Sequence, residues 1–269
     1  MLLVQNKLTR LINYLSFNMK ILLTGHTGYI GSRLYQRLIE NHTVIGIDIS
    51  EGNDLNTCDL EFDVDLVIHL AGKSGVRDSF KDPGAYWIHN VEATRRLFNI
   101  YHHTRIMYAS SSTIYEPNLN PYANSNRVIE EIAPHNSLGL RFHTVYSENA
   151  RAGMFIDKLL NNRLEYVTEH SRDFIHLEDV CDAIIKLIGY NMVGVIDIGT
   201  GDSIPIMELA PAGLSVKTDT PGERKCTKAY TRTLESFGFK PKYSIRKFLN
   251  NHRQDSIIKT HGENNERHS

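Results

Sequence analysis

Short apolar runs and amphipathic stretches alternate along most of the chain. Ile21–Leu23, Val44–Ile47, Leu66–Leu70, Ile106–Ser110 and Leu138–Val145 are mostly apolar, too short for helices and bounded by polar or glycine-bearing segments. Such runs read as buried strands. The stretches between them carry a different period. Leu34, Leu38 and Ile39 recur at helical spacing, with Arg33, Gln36, Arg37 and Glu40 between them. Residues 84–103 are a helix by the same pattern. Asp179 and Asp182 begin another, whose apolar side is Val180, Ala183, Ile184 and Leu187. Strands alternating with helices predict an α/β chain built on a doubly wound parallel sheet. Two connections are short: Ile49–Thr57, which leaves little room for a crossover helix, and Glu61–Val64.

The stretch after the first run is chemically the most specific. Gly25, Gly28 and Gly31 fall at the spacing G-x-x-G-x-x-G, with Thr27, Tyr29 and Ile30 among them. The first glycine lets the backbone turn sharply off a strand. The second leaves room for a diphosphate to approach the amides at the helix start, and the third lets the helix pack close to the sheet. A helix N-terminus carries about half a positive charge, which suits a diphosphate. The second strand closes on Asp48, whose carboxylate can accept bonds from ribose hydroxyls and repels a 2′-phosphate. The expected cofactor is NAD rather than NADP.

Composition narrows the partners. The 269 residues suffice for one large α/β unit or two small domains. Thirty basic and 31 acidic residues leave a charge of −1, with no basic block to suggest nucleic acid. Cys58, Cys181 and Cys226 are scattered and cannot all pair, so reduced thiols in the cytoplasm are expected. The 13 histidines form no H-E-x-x-H and no Cys/His cluster, and no metal site is expected. Residues 1–18 read as an N-terminal extension; Lys7 and Arg10 break the apolar run that a signal peptide or membrane span needs. Residues 250–269 are polar and read as a disordered tail.

The glycine spacing, with Thr27 before the second glycine, resembles the extended short-chain dehydrogenase/reductase superfamily, the branch that holds nucleotide-sugar epimerases and dehydratases. The resemblance spans residues 19 to about 248. It implies a Rossmann sheet with a small, interrupted C-terminal substrate-binding region. The NAD-binding part is then 19–144 plus 172–200, and the substrate region 145–171 plus 201–249. Leu66–Gly72 is similar to the family's strand ending H-L-A-G, which places Leu70, Ala71 and Gly72 beside the cofactor's nicotinamide half. Asn90 falls in the family's N-V-x-x-T. Asp59-Leu60 resembles an Asp-hydrophobic pair at the adenine edge, the alternative being a turn aspartate. Ser74-Gly75-Val76-Arg77 is close to the Ala-Gly-Val-Arg loop of uronic-acid nucleotide epimerases; Arg77 meets an anionic sugar or is a solvated surface arginine.

The implied chemistry lies in SSSTIYEPNLNPYANSNRVIEE. Ser111, four residues before Tyr115, matches the active-site serine, Tyr122 the catalytic tyrosine, and Asn126 the family's lysine position. Further on, Thr144 stands where the family has a substrate-binding Asn, and Arg151 is implied near a phosphate. Arg172, in R-D-F-I-H, matches an arginine on the nucleotide diphosphate, the alternative being a pair with Asp173. Arg224 is a substitute for the phosphate-binding arginine that Thr220 replaces.

A phenol of pKa near 10 is about 0.1% ionised at pH 7, a shortfall of roughly 4 kcal/mol. The family's lysine normally reduces it; Asn126 carries no charge, and Arg127 points about 100° away around the helix. The resemblance implies an NAD-dependent nucleotide-sugar epimerase that transiently oxidises a sugar hydroxyl. One alternative is a 4,6-dehydratase, ranked lower because Ser112-Thr113 stand where those enzymes carry Asp-Glu. The other is a non-catalytic scaffold, which Asn126, Thr144, Thr220 and Tyr230 favour. The implied partners are a nucleotide-diphosphate sugar and a second copy of the chain, paired through helices 84–103 and 122–133. Trp87, Ile88, Val91 and Phe98 are either that apolar surface or internal core.

Overall fold

The computed structural model describes residues 18–252, so most of the N-terminal extension and of the tail lies outside the described residues. Strand β1 (Lys20–Thr24) pairs in parallel with β2 (Thr43–Ile47) on one side and β3 (Leu66–His69) on the other. Beyond β3 come β4 (Arg105–Ser111) and β5 (Ser137–Phe142). The chain then enters a second layer. There β6 (Thr144–Tyr146) pairs with β8 (Ser171–His176), with the short β7 (Tyr166–Val167) between them in sequence. It returns as β9 (Gly194–Ile198), which completes a six-stranded parallel sheet of order β2-β1-β3-β4-β5-β9. Finally β10 (Ser203–Pro205) pairs antiparallel with β8, and β11 (Ser215–Val216) pairs with β7.

The helices that matter here are α1 (Tyr29–Leu38), α2 (Val76–Lys81), α3 (Pro83–Tyr86), α4 (Ala93–Ile100), α5 (Pro121–Ile132), α6 (Phe155–Leu160) and α7 (Leu177–Ile188). Successive strand residues point to opposite faces of a sheet. Ile21 and Leu23 therefore join Leu34 and Leu38 of α1 and Val180, Ile184 and Leu187 of α7 in one core layer. Leu22 points the other way, to Leu97 and Phe98 of α4 and Ile129 of α5. A parallel sheet buried on both faces needs apolar runs of this kind.

Four expectations change, and one left open is decided. The helix over 84–103 ends at Ile100 and contains a π-helical segment, Trp87–Glu92, between α3 and α4. The run Leu138–Val145 is two strands in different sheets, broken at His143. Residues 172–176, placed with the NAD-binding part, belong to a strand that hydrogen-bonds in the second sheet. Residues 245–252 are helical, with Ile245 and Leu249 buried, so the first three residues of the expected tail continue a helix; residues 253–269 lie outside the described residues. Val91 and Phe98 are buried, whereas Trp87 and Ile88 are 45% and 49% exposed. The short connection after β2 holds only a 3-10 turn, Ile49–Glu51, and no crossover helix. Among the described residues no helix is long and apolar enough to cross a membrane.

His69 fastens β3 to its neighbours. Nδ1 lies 2.6 Å from Thr24 Oγ1 and Nε2 lies 2.8 Å from Thr94 Oγ1. Burial pushes the imidazole down to about 4. An unfolded histidine takes up its proton near pH 6.5, so below that pH the unfolded chain binds a proton that the folded chain refuses. Stability is full above about pH 6.5 and falls as pH drops toward 4, by up to about 3 kcal/mol from this residue. Melting temperature should decline across that window, and His69→Gln should make the decline shallower. An equal decline in the variant would contradict the assignment.

Candidate active site

A cleft of about 730 Å³ opens at the carboxyl ends of the parallel strands. It sits where β1 and β3 lie side by side and their onward connections run in opposite directions, the usual place for a ligand in such sheets. Gly25 forms the turn off β1 at φ +74°, and a Cβ there would lie 2.6 Å from the Ala71 amide nitrogen. A Cβ on Gly31 would lie 2.0 Å from the Gly25 carbonyl oxygen. Turn, helix start and the end of β3 therefore close on one another with no room for side chains. Gly28 caps α1 without any side-chain hydrogen bond. The first N–H groups of a ten-residue helix are thus left for a ligand, which fits a dinucleotide's diphosphate.

Asp48 stands beside this turn. Its Oδ2 accepts the Thr27 N–H at 3.3 Å and its Oδ1 the Ser50 N–H at 2.9 Å. Burial opposes its ionisation, but the bonds from Ser50 and Thr27 outweigh burial and leave its pKa below the usual carboxylate value. Neither Thr27 nor Asp48 lines the cleft itself, whereas Gly25, Gly28, Tyr29, Ile30, Gly31, Leu70, Ala71, Gly72 and Asn90 do. The Asp59-Leu60 pair does not reach it either. Asp59 is exposed and accepts the Glu61 N–H at 3.1 Å, as a turn aspartate does. Leu60 is a core side chain packed with Leu22 and Val67. The Asn90 amide is occupied by the loop that follows β3: Oδ1 accepts the Lys73 N–H at 2.7 Å, and Nδ2 donates to Lys73 O at 2.9 Å.

On the opposite wall, β4 delivers Ser111 and α5 delivers Tyr122. Ser111 Oγ accepts the Thr113 N–H at 3.2 Å, which starts the 3-10 turn Ser112–Tyr115. Asn120 caps α5 by accepting the Ala123 N–H at 2.7 Å. This places Tyr122 in the first turn, with Asn126 one turn further on the same side. Ser111, Tyr122 and Asn126 all line the cleft. Burial raises the Tyr122 phenol above its ordinary value; Ser111, Asn126 and the charge of Arg151 act in the other direction. The Asn126 amide donates to the Tyr122 carbonyl at 2.8 Å.

The far end of the cleft is rich in arginine. Arg172 does not pair with Asp173. It reaches Glu223 Oε2 at 3.3 Å and donates to the Arg224 carbonyl at 2.8 Å. Asp173 is fully buried and accepts from the N–H groups of Thr200, Gly201 and Ala229 at 2.8, 2.8 and 2.9 Å. Arg77 is not merely solvated: it pairs with Glu223 at 2.8 Å and donates to the Tyr166 hydroxyl at 3.0 Å. Arg224 pairs with Glu116 at 2.8 Å and donates to Ser112 O at 2.8 Å. Arg151 hydrogen-bonds Ser74, and Thr144 lines the same cleft. Glu223, which joins Arg77 to Arg172, was missed by sequence reasoning; its place directly after Pro221-Gly222 was the available signal.

A model of the NAD dependent epimerase/dehydratase family matches residues 21–199. The chain belongs to this family. NAD is the family's cofactor, in keeping with the fit of the glycine turn. A putative UDP-glucose 4-epimerase of Methanocaldococcus jannaschii is 30% identical over 290 residues, covering 84% of this chain and 94% of that protein. Other curated relatives are spanned less fully, one over 55% of its length and another over 69%. Among solved structures, MoeE5 in complex with UDP-glucose and NAD is 27% identical with a TM-score of 0.77, over 88% of this chain and 99% of that one. The UDP-glucuronic acid 4-epimerase of Bacillus cereus, in complex with UDP-glucuronic acid and NAD, is 26% identical with a TM-score of 0.77, over 86% and 97%.

Proposed function

We propose that this member of the family is an NAD-dependent 4-epimerase of a UDP sugar, with a uronic acid as the sugar. The observation that carries the reading is the cleft itself, which gathers the Gly25–Gly31 turn, Ser111 and Tyr122, and Arg77, Arg172 and Arg224 into one space. Lys73 and Lys158 also line it and form no ion pair among the described residues, which suits an additional carboxylate. The Ser74–Arg77 loop, which resembles that of uronic-acid nucleotide epimerases, and the Bacillus cereus neighbour, solved with UDP-glucuronic acid, also favour a uronic acid.

In this reading the turn and the start of α1 hold the cofactor's diphosphate, and Asp48 holds its adenosine ribose. NAD, when bound, supplies the hydride acceptor and donor. Tyr122 Oη takes the proton of the sugar hydroxyl and later returns it. Ser111 Oγ bonds the same hydroxyl and fixes its orientation. Thr144 contacts the sugar. Arg172, Arg77 and Arg224 offer planar, always-charged donors to the UDP diphosphate, which competes with Glu223 for the first two. The scaffold alternative is favoured by Thr144, Thr220 and Tyr230, which depart from the family's residues, and by Asn126, which brings no charge. A dehydratase has no such residues in its favour, since the turn after Ser111 carries Ser112-Thr113 rather than an acid pair.

Mass spectrometry of nucleotide released from the purified protein should find NAD. Incubation with UDP-glucose, UDP-N-acetylglucosamine and UDP-glucuronate should then convert UDP-glucuronate with the highest kcat/KM. A panel left unchanged would favour the scaffold. NAD should bind at least about tenfold more tightly than NADP, because a 2′-phosphate would face the Asp48 carboxylate. Asp48→Ala should narrow that gap; equal binding of both by the unmodified protein would contradict the role given to Asp48. Trp87 and Ile88 are the exposed apolar residues on the helix proposed for self-association. Light scattering at micromolar concentration should give the mass of a homodimer, and a monomer mass would rule that surface out.

A further inference from the structure

We propose that Tyr115 is a positioning residue for Arg224: its ring, on the turn that begins at Ser111, holds the Arg224 guanidinium in the cleft wall with one nitrogen left for a phosphate oxygen. The inference rests on Arg224 meeting the diphosphate of the sugar nucleotide in the proposed function.

Tyr115, Glu116 and Arg141 do not line the cleft, whereas Arg224 does. The turn reaches Arg224 with three groups. The guanidinium carbon lies 5.4 Å from the centroid of the Tyr115 ring, within cation–π range. Arg224 Nε donates to Glu116 Oε1 at 2.8 Å, and Nη1 donates to the Ser112 carbonyl at 2.8 Å. Nη2 makes no hydrogen bond or ion pair among the described residues. Arg172 donates to the Arg224 carbonyl at 2.8 Å, so the backbone that carries Arg224 is tied to a second cleft arginine.

The Tyr115 ring is itself anchored. Its hydroxyl donates to Asp197 Oδ1 on β9 at 2.7 Å and accepts from Arg141 Nη1 at 3.3 Å. Asp197 is fixed in turn by the Tyr230 N–H at 2.8 Å. Arg141 lies over the same ring, 5.1 Å from its centroid, but Glu130 takes its Nε and Nη2 at 2.9 and 2.7 Å. It is therefore spent on the scaffold, and Arg224 is the cation on this ring that a ligand can reach. The turn is pinned at both ends, by Ser111 Oγ on the Thr113 N–H and by the Glu116 N–H on the Thr113 carbonyl at 3.1 Å. A free arginine side chain loses rotamer freedom when it clamps a phosphate. A guanidinium already held by a ring, a carboxylate and a carbonyl has less to lose, so the gain is in affinity for the diphosphate.

The test reads binding and does not need turnover. UDP is titrated calorimetrically into the full chain loaded with NAD. Tyr115→Leu should weaken UDP by about fivefold, and Tyr115→Phe, which keeps the ring, by no more than about twofold. The decisive arm repeats Tyr115→Leu in an Arg224→Gln chain, where Arg77 and Arg172 remain to bind UDP. There it should change the affinity by less than about twofold, because the guanidinium that Tyr115 acts on is gone. A purely structural role would weaken UDP in both backgrounds alike. Tyr115→Met reads the same quantity should Tyr115→Leu fail to fold. No weakening in the chain that keeps Arg224, equal weakening in both backgrounds, or a Tyr115→Phe as weak as Tyr115→Leu would overturn the proposal. An unmodified chain that binds no UDP would defeat the proposed function and this inference with it, whereas UDP binding that loss of the ring leaves unmoved would defeat the inference alone.

Discussion

Replacing Tyr122 with phenylalanine should lower epimerisation by about 10²- to 10⁴-fold, the usual contribution of a positioned acid-base group. Only the hydroxyl is lost. The ring stays, and with it the edge-on contact to Tyr86, so fold and NAD affinity should be unchanged. The unmodified protein should show a pH signature of the same group. Burial holds the phenol above its ordinary value, so its ionised form is scarce at neutral pH. Turnover limited by that form rises by about tenfold per pH unit below the pKa. Stopped assays from pH 6 to 9 check both points. Undiminished turnover in Tyr122→Phe would mean that the base is another residue.

Gly31→Ala should be the most damaging single-carbon change in the cofactor wall. The new Cβ would lie 2.0 Å from the Gly25 carbonyl oxygen, 2.8 Å from its carbon and 3.0 Å from His26 Cα. All three are backbone atoms, and none can swing aside as a side-chain tip can. Helix α1 must therefore lift off the turn, at a cost above about 3 kcal/mol. In a chain of this size that corresponds to a fall in Tm of roughly 10 °C. The displaced turn no longer presents the helix N-terminus, so NAD affinity should fall by at least about tenfold, 1.4 kcal/mol. Gly84→Ala is the control. Its Cβ would meet only Asp82 Oδ1 at 3.7 Å, and the change should stay within about 0.5 kcal/mol. Equal melting of the two variants, with NAD binding intact in both, would contradict the packing argument.

Both expectations begin in short stretches of sequence, which is why they were legible. The Gly25–Gly31 turn is set by local backbone demands, and Ser111, Tyr122 and Asn126 sit close together in the chain. What could not be read was pairing over distance. Glu223 takes Arg77 and Arg172 together, from positions 146 and 51 residues away. No local pattern shows such a contact. Asp173 was weighed as the partner of Arg172 because it is adjacent, yet successive strand residues face opposite ways, and its carboxylate turns to the Thr200, Gly201 and Ala229 amides. The burial of the Leu60 side chain was not readable for a related reason: an Asp-hydrophobic pair looks the same whether the apolar side chain is exposed or in the core. The break at His143 was hidden because strand-forming residues, Phe142 before it and Thr144 to Tyr146 after it, flank it on both sides while the chain changes sheets.

The claim that this chain epimerises a UDP sugar by moving one hydrogen away from a carbon and back is tested most directly with an isotope. The NAD-loaded protein is incubated with UDP-glucuronate deuterated at C4, and the product is read by proton NMR and mass spectrometry. The account predicts UDP-galacturonate that retains the deuterium at C4. Recovery of the starting sugar alone, or of an epimer whose deuterium has been lost to water, would contradict it.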